Sequence, residues 1–459
     1  MAVGLSVYEW YAASNQAMAK ILIAGLGVTG QSVARYLLGE GVNFAMADQR
    51  QDLPDAKALR EAYPDHEMVL GDFSAIDLQR FETIVLSPGI SRKMPAIQAA
   101  IDAGVEVIGD IELFARVAHS PVIAVTGSNG KSTVVDLLNE MAETADVNVA
   151  MGGNIGTPAL DLVTDPEPDL YVLELSSFQL ESTISLQPQA GVVLNISEDH
   201  MDRYDSLEDY ARSKAQIYSQ SGVQIINRDD PIASQLAADR PAVSFGMDEP
   251  QRKQDYGLKK IDSSEWLMRG EEPLLPVTAL RLVGRHNLAN VLAALALGEA
   301  VGLPMSSMLT ALRNYRGLPH RTQWVADING ATWINDSKAT NVGATLAALK
   351  GLDQPVVLIA GGQSKGADLT PLREVVADKV HAVVLIGEDA ELLEIVLNGV
   401  TEVHRADDMR NAVRQAAKLA RRGDVVLLSP ACASFDMFTG YANRGEIFMR
   451  QVFALQRKD

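Results

Sequence analysis

The chain is poor in cysteine, in basic residues and in long apolar runs, and each shortage closes off a class of protein. A single cysteine, Cys432, rules out a disulfide framework within the chain and fits a reducing cytosol. Lys and Arg number 40 against 59 Asp and Glu, a formal charge of −19 with a pI near 4.8. A general nucleic-acid binder needs a basic face, so no nucleic-acid partner is expected. An anionic ligand would have to be held by a few local Arg and Lys side chains and by backbone amides. No apolar stretch approaches the roughly 20 residues of a membrane span. The opening MAVGLSVYEWYAASNQAMAK has neither the basic start nor the long apolar stretch of a secretory signal. Met18-Ala-Lys-Ile-Leu-Ile reads as a natural beginning, with residues 1–17 as an extension or an upstream start. The chain has no solenoid-period repeat and no low-complexity tract. A cytoplasmic protein is expected, and a monomer.

What is present suits large buried cores: 47% of residues are hydrophobic and 22% charged. A length of 459 residues suggests about three domains. Three α/β blocks follow one another. The first has short strands at Lys20–Ala24, in VNFAMAD ending at Asp48, and at Thr83–Ser87, with a helix after the first. The segment Gly109–Pro121 reads as a helical connection. The second block has strands at Val122–Val125, Leu170–Leu175, Gly191–Ile196 and Val223–Asn227, and a helix near Leu288–Gly298 capped by Asn287. Gly317-Leu-Pro-His-Arg321 punctuates the chain, and apolar runs at Ala331–Ile334, Pro355–Ala360, Val380–Ile386 and Asp424–Leu428 form the third. Alternating β and α units imply parallel, Rossmann-like sheets. The expected domains are 1–109, 110–317 and 318–459.

The most informative segment is Val122–Thr133, VIAVTGSNGKST. A strand, a Gly-rich turn and a helix in that order make a phosphate cradle, because loop and helix N-terminal amides face the anion. Gly127, Ser128, Asn129, Gly130, Lys131, Ser132 and Thr133 form it, with Lys131 reaching the outer phosphates and the Ser132 hydroxyl available to Mg²⁺. The general P-loop pattern puts its first Gly at Val125, whereas the glycine here is Gly127. An ordinary strand-to-helix turn containing GKS is the bland reading; the flanking strand and helix favour ATP or GTP.

Other clusters carry alternatives. Gly25-Leu-Gly-Val-Thr-Gly30 with Asp48, 18 residues on, suggests NAD, yet the glycines report only that a pyrophosphate-like group approaches a helix N-terminus; a UDP group or plain tight packing would serve as well. Glu174 closes the strand LYVLEL and is placed to hold Mg²⁺ or to cap the next helix. His200, in NISEDHMD, is a metal ligand, a substrate contact or a packed histidine. Lys214 falls in an apolar stripe with Leu207, Tyr210, Ala211, Ile217 and Tyr218, on a helix opened by Ser206. A buried ammonium is costly unless paired or deprotonated. A neutral amine there could take up CO₂ and become a metal-binding carbamate; snorkelling or a salt bridge is the alternative. Gly284–Asn290 opens a helix, with amides that could contact a base or phosphate or serve for helix capping alone. Polar clusters also follow apolar segments at His320-Arg321, Asn335–Asn341, Gly361–Gly366 and Ser429–Met437, and ligands of open α/β sheets bind at strand C-termini.

Taken in order, TGSNGKST, GGNIGTP, ELSSFQLE, NISEDHMDRY, LPHR, NDSKATN and SPACASFD resemble the Mur ligase family of peptidoglycan synthesis, from Met18 to the C-terminus. The last two point to the family activity that adds D-glutamate to UDP-N-acetylmuramoyl-L-alanine. The resemblance implies an N-terminal Rossmann-like domain binding UDP, a central P-loop ATPase domain and a C-terminal Rossmann-like domain binding the amino acid. It implies that Val28, Thr29, Gln49, Arg50, Gly89, Asn154 and His200 meet the UDP-linked substrate. It implies ATP at the P-loop with Asn290, Arg321 and Asp336, and two Mg²⁺, replaceable by Mn²⁺, at Ser132, Glu174, His200 and a carbamylated Lys214. D-glutamate would meet Thr340, Lys365, Ser434, Phe435 and Tyr441, the last where the family usually has Phe. With the three reactants on three domains, domain closure would assemble the site and shield an acyl-phosphate from water. A related amide ligase, an NAD-dependent oxidoreductase and a non-catalytic nucleotide-binding protein are the competing readings.

Overall fold

The structure, a computed structural model, describes residues 19–197, 203–237, 240–282 and 284–456. Residues 1–17 and His200 therefore lie outside the described residues. Two compact units emerge. The first takes in the chain up to Ile261 together with Trp266–Leu274 and Asn290–Ala311; the second has Asp262–Glu265, Leu275–Ala289 and the chain from Leu312 onward.

The first unit opens with β1 (Ile21–Ala24), β2 (Phe44–Asp48), β3 (Met68–Leu70), β4 (Thr83–Leu86) and β5 (Glu106–Gly109), ordered β3-β2-β1-β4-β5. All pairs are parallel, with Ile21 opposite both Phe44 and Thr83. β1, β2 and β4 are buried along their whole length, as a parallel sheet covered on both faces requires. The helix Val28–Gly39 buries Gly30, Val33, Ala34 and Leu37, a stripe at helical spacing. Strand order reverses between β1 and β4, which puts a crevice at their C-terminal ends.

A connecting helix, Asp110–Val117, leads to the second sheet. Its Glu112 accepts from the Ile184 and Ser185 amides at 2.7 and 2.8 Å, tying the connection to the segment after Glu174. This sheet has β6 (Val122–Thr126), β7 (Val149–Gly153), β8 (Leu170–Glu174), β9 (Ala190–Val193), β10 (Val223–Asn227) and β11 (Ala242–Phe245), ordered β11-β10-β9-β6-β8-β7. β12 (Tyr256–Ile261), β13 (Ser264–Arg269) and β14 (Glu272–Pro276) extend it beyond β11, an addition the sequence reading did not contain. The later helix opens at Arg285 and runs to Ala300, so Asn287 lies within its first turn and is not its cap. Gly284, with φ +98°, turns the chain into the helix earlier than the apolar pattern indicated.

The second unit is built on β15 (Gln323–Ile328), β16 (Ala331–Asn335), β17 (Val356–Gly361), β18 (Val380–Ile386), β19 (Glu402–Arg405) and β20 (Val425–Leu428), ordered β15-β16-β20-β17-β18-β19. Only β15 pairs antiparallel; the others are parallel. The fold is α/β with three Rossmann-like parallel sheets, the first two sharing one compact unit.

Candidate active site

Sheet order decides what surrounds the P-loop. β6 lies between β8 and β9, so the loop after β6 is flanked by Glu174, the last residue of β8, and by Asn195, just past β9. Asn195 clamps the loop. Its Oδ1 accepts from the Asn129 amide at 2.8 Å, its Nδ2 donates to the Asn129 carbonyl at 3.1 Å, and its own carbonyl accepts from the Ser128 amide at 2.9 Å. Gly130, at φ +86°, starts the helix Lys131–Thr144; a Cβ there would come within 2.5 Å of Asn290 Oδ1. Thus Asn290, 160 residues on, sits against the glycine that lets the loop turn. Lys131 Nζ donates to the carbonyls of Gly127 and Ser128 at 2.8 and 3.0 Å, so the ammonium folds over the loop it serves. Ser132 Oγ donates to Glu174 Oε2 at 2.8 Å, and Asn154 Nδ2 donates to Glu174 Oε1 at 2.9 Å. Thr133 follows inside the same helix.

Among the described residues no three His, Cys, Asp or Glu side chains converge as a metal nest. A Ser hydroxyl and one carboxylate are oxygen donors of the kind Mg²⁺ uses, completed by waters and substrate phosphate.

Lys214 lies beneath this loop. Ser206 Oγ caps its helix, Leu207–Ala215, by accepting from the Asp209 amide at 3.1 Å. Lys214 is 2% exposed, with Nζ 3.3 Å from Thr126 Oγ1 and 4.7 Å from the Tyr210 ring centroid. Thr126 is the last residue of β6, so this amine reaches the strand that feeds the P-loop.

The N-terminal crevice is a cleft of about 420 Å³. Val28, Thr29, Gln49, Arg50, Gly89 and Asn154 all line it, as do Asp48, the acid of the NAD alternative, and Ser87, Pro88 and Gln179, which the sequence did not assign to a ligand. A Cβ at Gly30 would collide with the Gly25 carbonyl, so that glycine serves close helix–strand packing. Asp48 is engaged by the chain itself. Its oxygens accept from the Leu26 amide at 2.7 Å, the Arg50 amide at 3.0 Å and the Arg50 guanidinium at 2.8 and 2.7 Å. Burial alone would raise its carboxyl, but these bonds outweigh it and hold the pKa at about 2. A carboxylate committed in this way braces the glycine loop, which removes the argument for a ribose-binding acid of an NAD site.

In the second unit, Thr340, Lys365 and Ser434 sit on the loops after β16, β17 and β20, which are neighbours in the sheet. Ser434 is buried, while Phe435 is 65% exposed. Lys365 Nζ stands 5.9 Å from the Phe435 ring centroid, and Lys338 Nζ 4.0 Å from that of Tyr441. Arg444, missed in the sequence, ties these loops together from a fully buried position. Nε donates to Ser337 Oγ at 3.0 Å, Nη2 to the Ser337 carbonyl at 2.9 Å and Nη1 to the Cys432 carbonyl at 3.1 Å. Burial lowers its pKa to about 10 and pushes the neighbouring Cys432 thiol up to about 12. Asp336 is also buried, which raises its carboxyl to about 6 despite the Ser429 hydroxyl at 2.8 Å and the Thr322 amide at 3.1 Å. Arg321, one residue before Thr322, is exposed.

Three Rossmann-like sheets, a P-loop facing a strand-end carboxylate and a nucleotide-type cleft define a P-loop nucleotide-dependent α/β protein. The chain belongs to the Mur ligase family. Its residues 19–109 match the Mur ligase MurD-like N-terminal domain, 125–298 the Mur ligase middle domain and 320–432 the Mur ligase glutamate ligase domain. It is 51% identical to the UDP-N-acetylmuramoylalanine--D-glutamate ligase of Nitrosococcus oceani, over 95% of this chain and 97% of that one. It is 49% identical to the enzyme of the same name from Pseudomonas aeruginosa, over 94% and 97%. Among solved structures, the UDP-N-acetylmuramate-alanine ligase of Thermotoga maritima superposes with a TM-score of 0.53 at 17% identity, covering 96% of this chain and all of that one. That likeness speaks to the fold alone.

Proposed function

We propose that this chain is an ATP-dependent, ADP-forming ligase that joins D-glutamate to the L-alanyl carboxylate of UDP-N-acetylmuramoyl-L-alanine, a step of peptidoglycan precursor synthesis. The observation that carries the reading is one line of hydrogen bonds, Asn154 to Glu174 to Ser132, running from the cleft to the P-loop. A ligand with its nucleotide against Val28, Thr29, Gln49, Arg50 and Gly89 would extend past Asn154 toward the terminal phosphate of ATP. The names of relatives near 50% identity supply the particular substrates.

A carboxylate does not condense with an amine in water at useful rates. A substrate carboxylate oxygen therefore attacks the γ-phosphorus of ATP, and ADP leaves. The amine of D-glutamate then attacks the acyl-phosphate carbon and loses a proton, and phosphate departs with the former carboxylate oxygen. Charge gathers on oxygen in both steps. Lys131 and the amides of Gly127–Thr133 are the fixed donors that meet it. Ser132 and Glu174, and at a second site a carbamylated Lys214 with His200, would hold Mg²⁺, which would supply further charge neutralisation. Asn290, Arg321 and Asp336 are assigned to the nucleotide. Lys365 and the Ser434 and Phe435 amides take the D-glutamate carboxylates, with Thr340 and Tyr441 alongside.

The test is phosphate release with UDP-N-acetylmuramoyl-L-alanine, ATP and a panel of amino acids. Turnover should require D-glutamate. Lys365→Ala should raise the D-glutamate KM by about 10-fold or more, the scale of a lost charged hydrogen bond, and leave the ATP KM near wild type. Equal rises in both KM values, or free replacement of D-glutamate by another amino acid, would contradict the assignment.

A further inference from the structure

Behind the cleft wall lies a buried carboxyl that the reaction above does not use. Asp110 opens the connecting helix and is 3% exposed. Its Oδ2 accepts from Gln179 Nε2 at 3.0 Å, and its Oδ1 is buried with no hydrogen-bond partner among the described residues. Gln179 is itself 2% exposed, yet it lines the cleft beside Gly153 and Asn154. Its other end is engaged too: Oε1 accepts from the Ser176 amide at 3.1 Å.

An amide group has nearly the same shape either way round, and its partners choose the orientation. Ser176 offers a backbone N–H, so it takes the carbonyl end. Asp110 offers an acceptor, so it takes the NH₂ end. One N–H of Gln179 is thereby used, and the other is the group that the cleft can employ. Keeping a carboxyl in this position is costly, because burial pushes it up to about 6 even with the Gln179 bond.

We propose that Asp110 is a positioning residue for the UDP-linked substrate: it holds the Gln179 amide so that its second N–H donates to an acceptor oxygen on the ligand's sugar-alanyl arm. The arm is favoured over the nucleotide because Gln179 lies beside Asn154, at the end of the cleft that leads to Glu174. This rests on the function proposed above.

The experiment is calorimetric titration of the full chain with UDP and with UDP-N-acetylmuramoyl-L-alanine, in wild type and four variants. Asp110→Leu and Gln179→Ala should each weaken binding of the full substrate by about 10-fold, the size of a lost charged hydrogen bond, while UDP affinity stays within about 2-fold. The double variant should bind no more weakly than Gln179→Ala, since Asp110 acts only through that residue. Asp110→Asn keeps an acceptor oxygen and should restore near-wild-type affinity, which also guards against a leucine that unfolds the helix junction. Unchanged affinity in Gln179→Ala, additive losses in the double variant, or equal weakening toward UDP would overturn the proposal. A wild type that binds the full substrate no better than UDP would overturn the functional reading and this inference together.

Discussion

Lys214→Ala is expected to fold and to lose about 10³-fold or more in turnover, the scale seen when a group that stabilises developing charge is removed. A side chain 2% exposed under the P-loop, against Tyr210 and Thr126, carries a desolvation cost as a plain ammonium. The neutral amine can add CO₂, lose a proton and become a carbamate, which turns a cation into an oxygen ligand for a divalent metal. Two consequences separate this from a structural lysine. A short-chain carboxylic acid that fills the gap left by Ala should restore part of the activity. Lys214→Arg should remain inactive, because it restores a cation where an anion is needed. Activity with and without added acid, together with the intact mass of the native protein, checks both. Full activity in Lys214→Arg, or an unmodified lysine in active enzyme, would sink the idea.

Lys131→Ala should cost roughly 10²-fold or more in turnover, the usual effect of deleting one preorganised donor. Its Nζ lies against the Gly127 and Ser128 carbonyls, so the charge is stationed at the loop. The loss should fall mainly on kcat, because the interaction strengthens as charge moves onto the transferring phosphoryl group. Stopped-flow or steady-state phosphate release, with the melting temperature as a control for folding, measures it. Near-normal kcat in a folded variant would remove the P-loop from the chemistry.

Much of this site could be read before any fold was known, because its signals are local. Strand, glycine turn and helix in VIAVTGSNGKST announce a phosphate cradle, and an acid ending the apolar run LYVLEL is conspicuous in Glu174. Lys214 is visible as a charge in an apolar stripe. What escaped were partnerships across long separations. Asn195 and Asn129 clamp each other over 66 residues, and nothing near Asn195 distinguishes it from the other polar residues after β9. Arg444 lies on the helix Tyr441–Gln456, where local pattern cannot separate it from the exposed Arg450; its bonds to two loops that the sheet order makes neighbours set it apart. Asp48 was legible as an important acid, but its sequence spacing suits a ribose as well as a loop brace. Only its bonds to Leu26 and Arg50 separate the two. Asn287 misled for a simpler reason, since a left-handed glycine at 284 starts the helix ahead of the apolar residues.

The reaction drawn here moves one oxygen atom from substrate to phosphate. UDP-N-acetylmuramoyl-L-alanine carrying ¹⁸O in both oxygens of its alanyl carboxylate, turned over with ATP and D-glutamate, follows that atom. One ¹⁸O per turnover should appear in the inorganic phosphate and one should remain in the new amide carbonyl. Unlabelled phosphate would mean that the carboxylate is never phosphorylated and would contradict the mechanism at its first step.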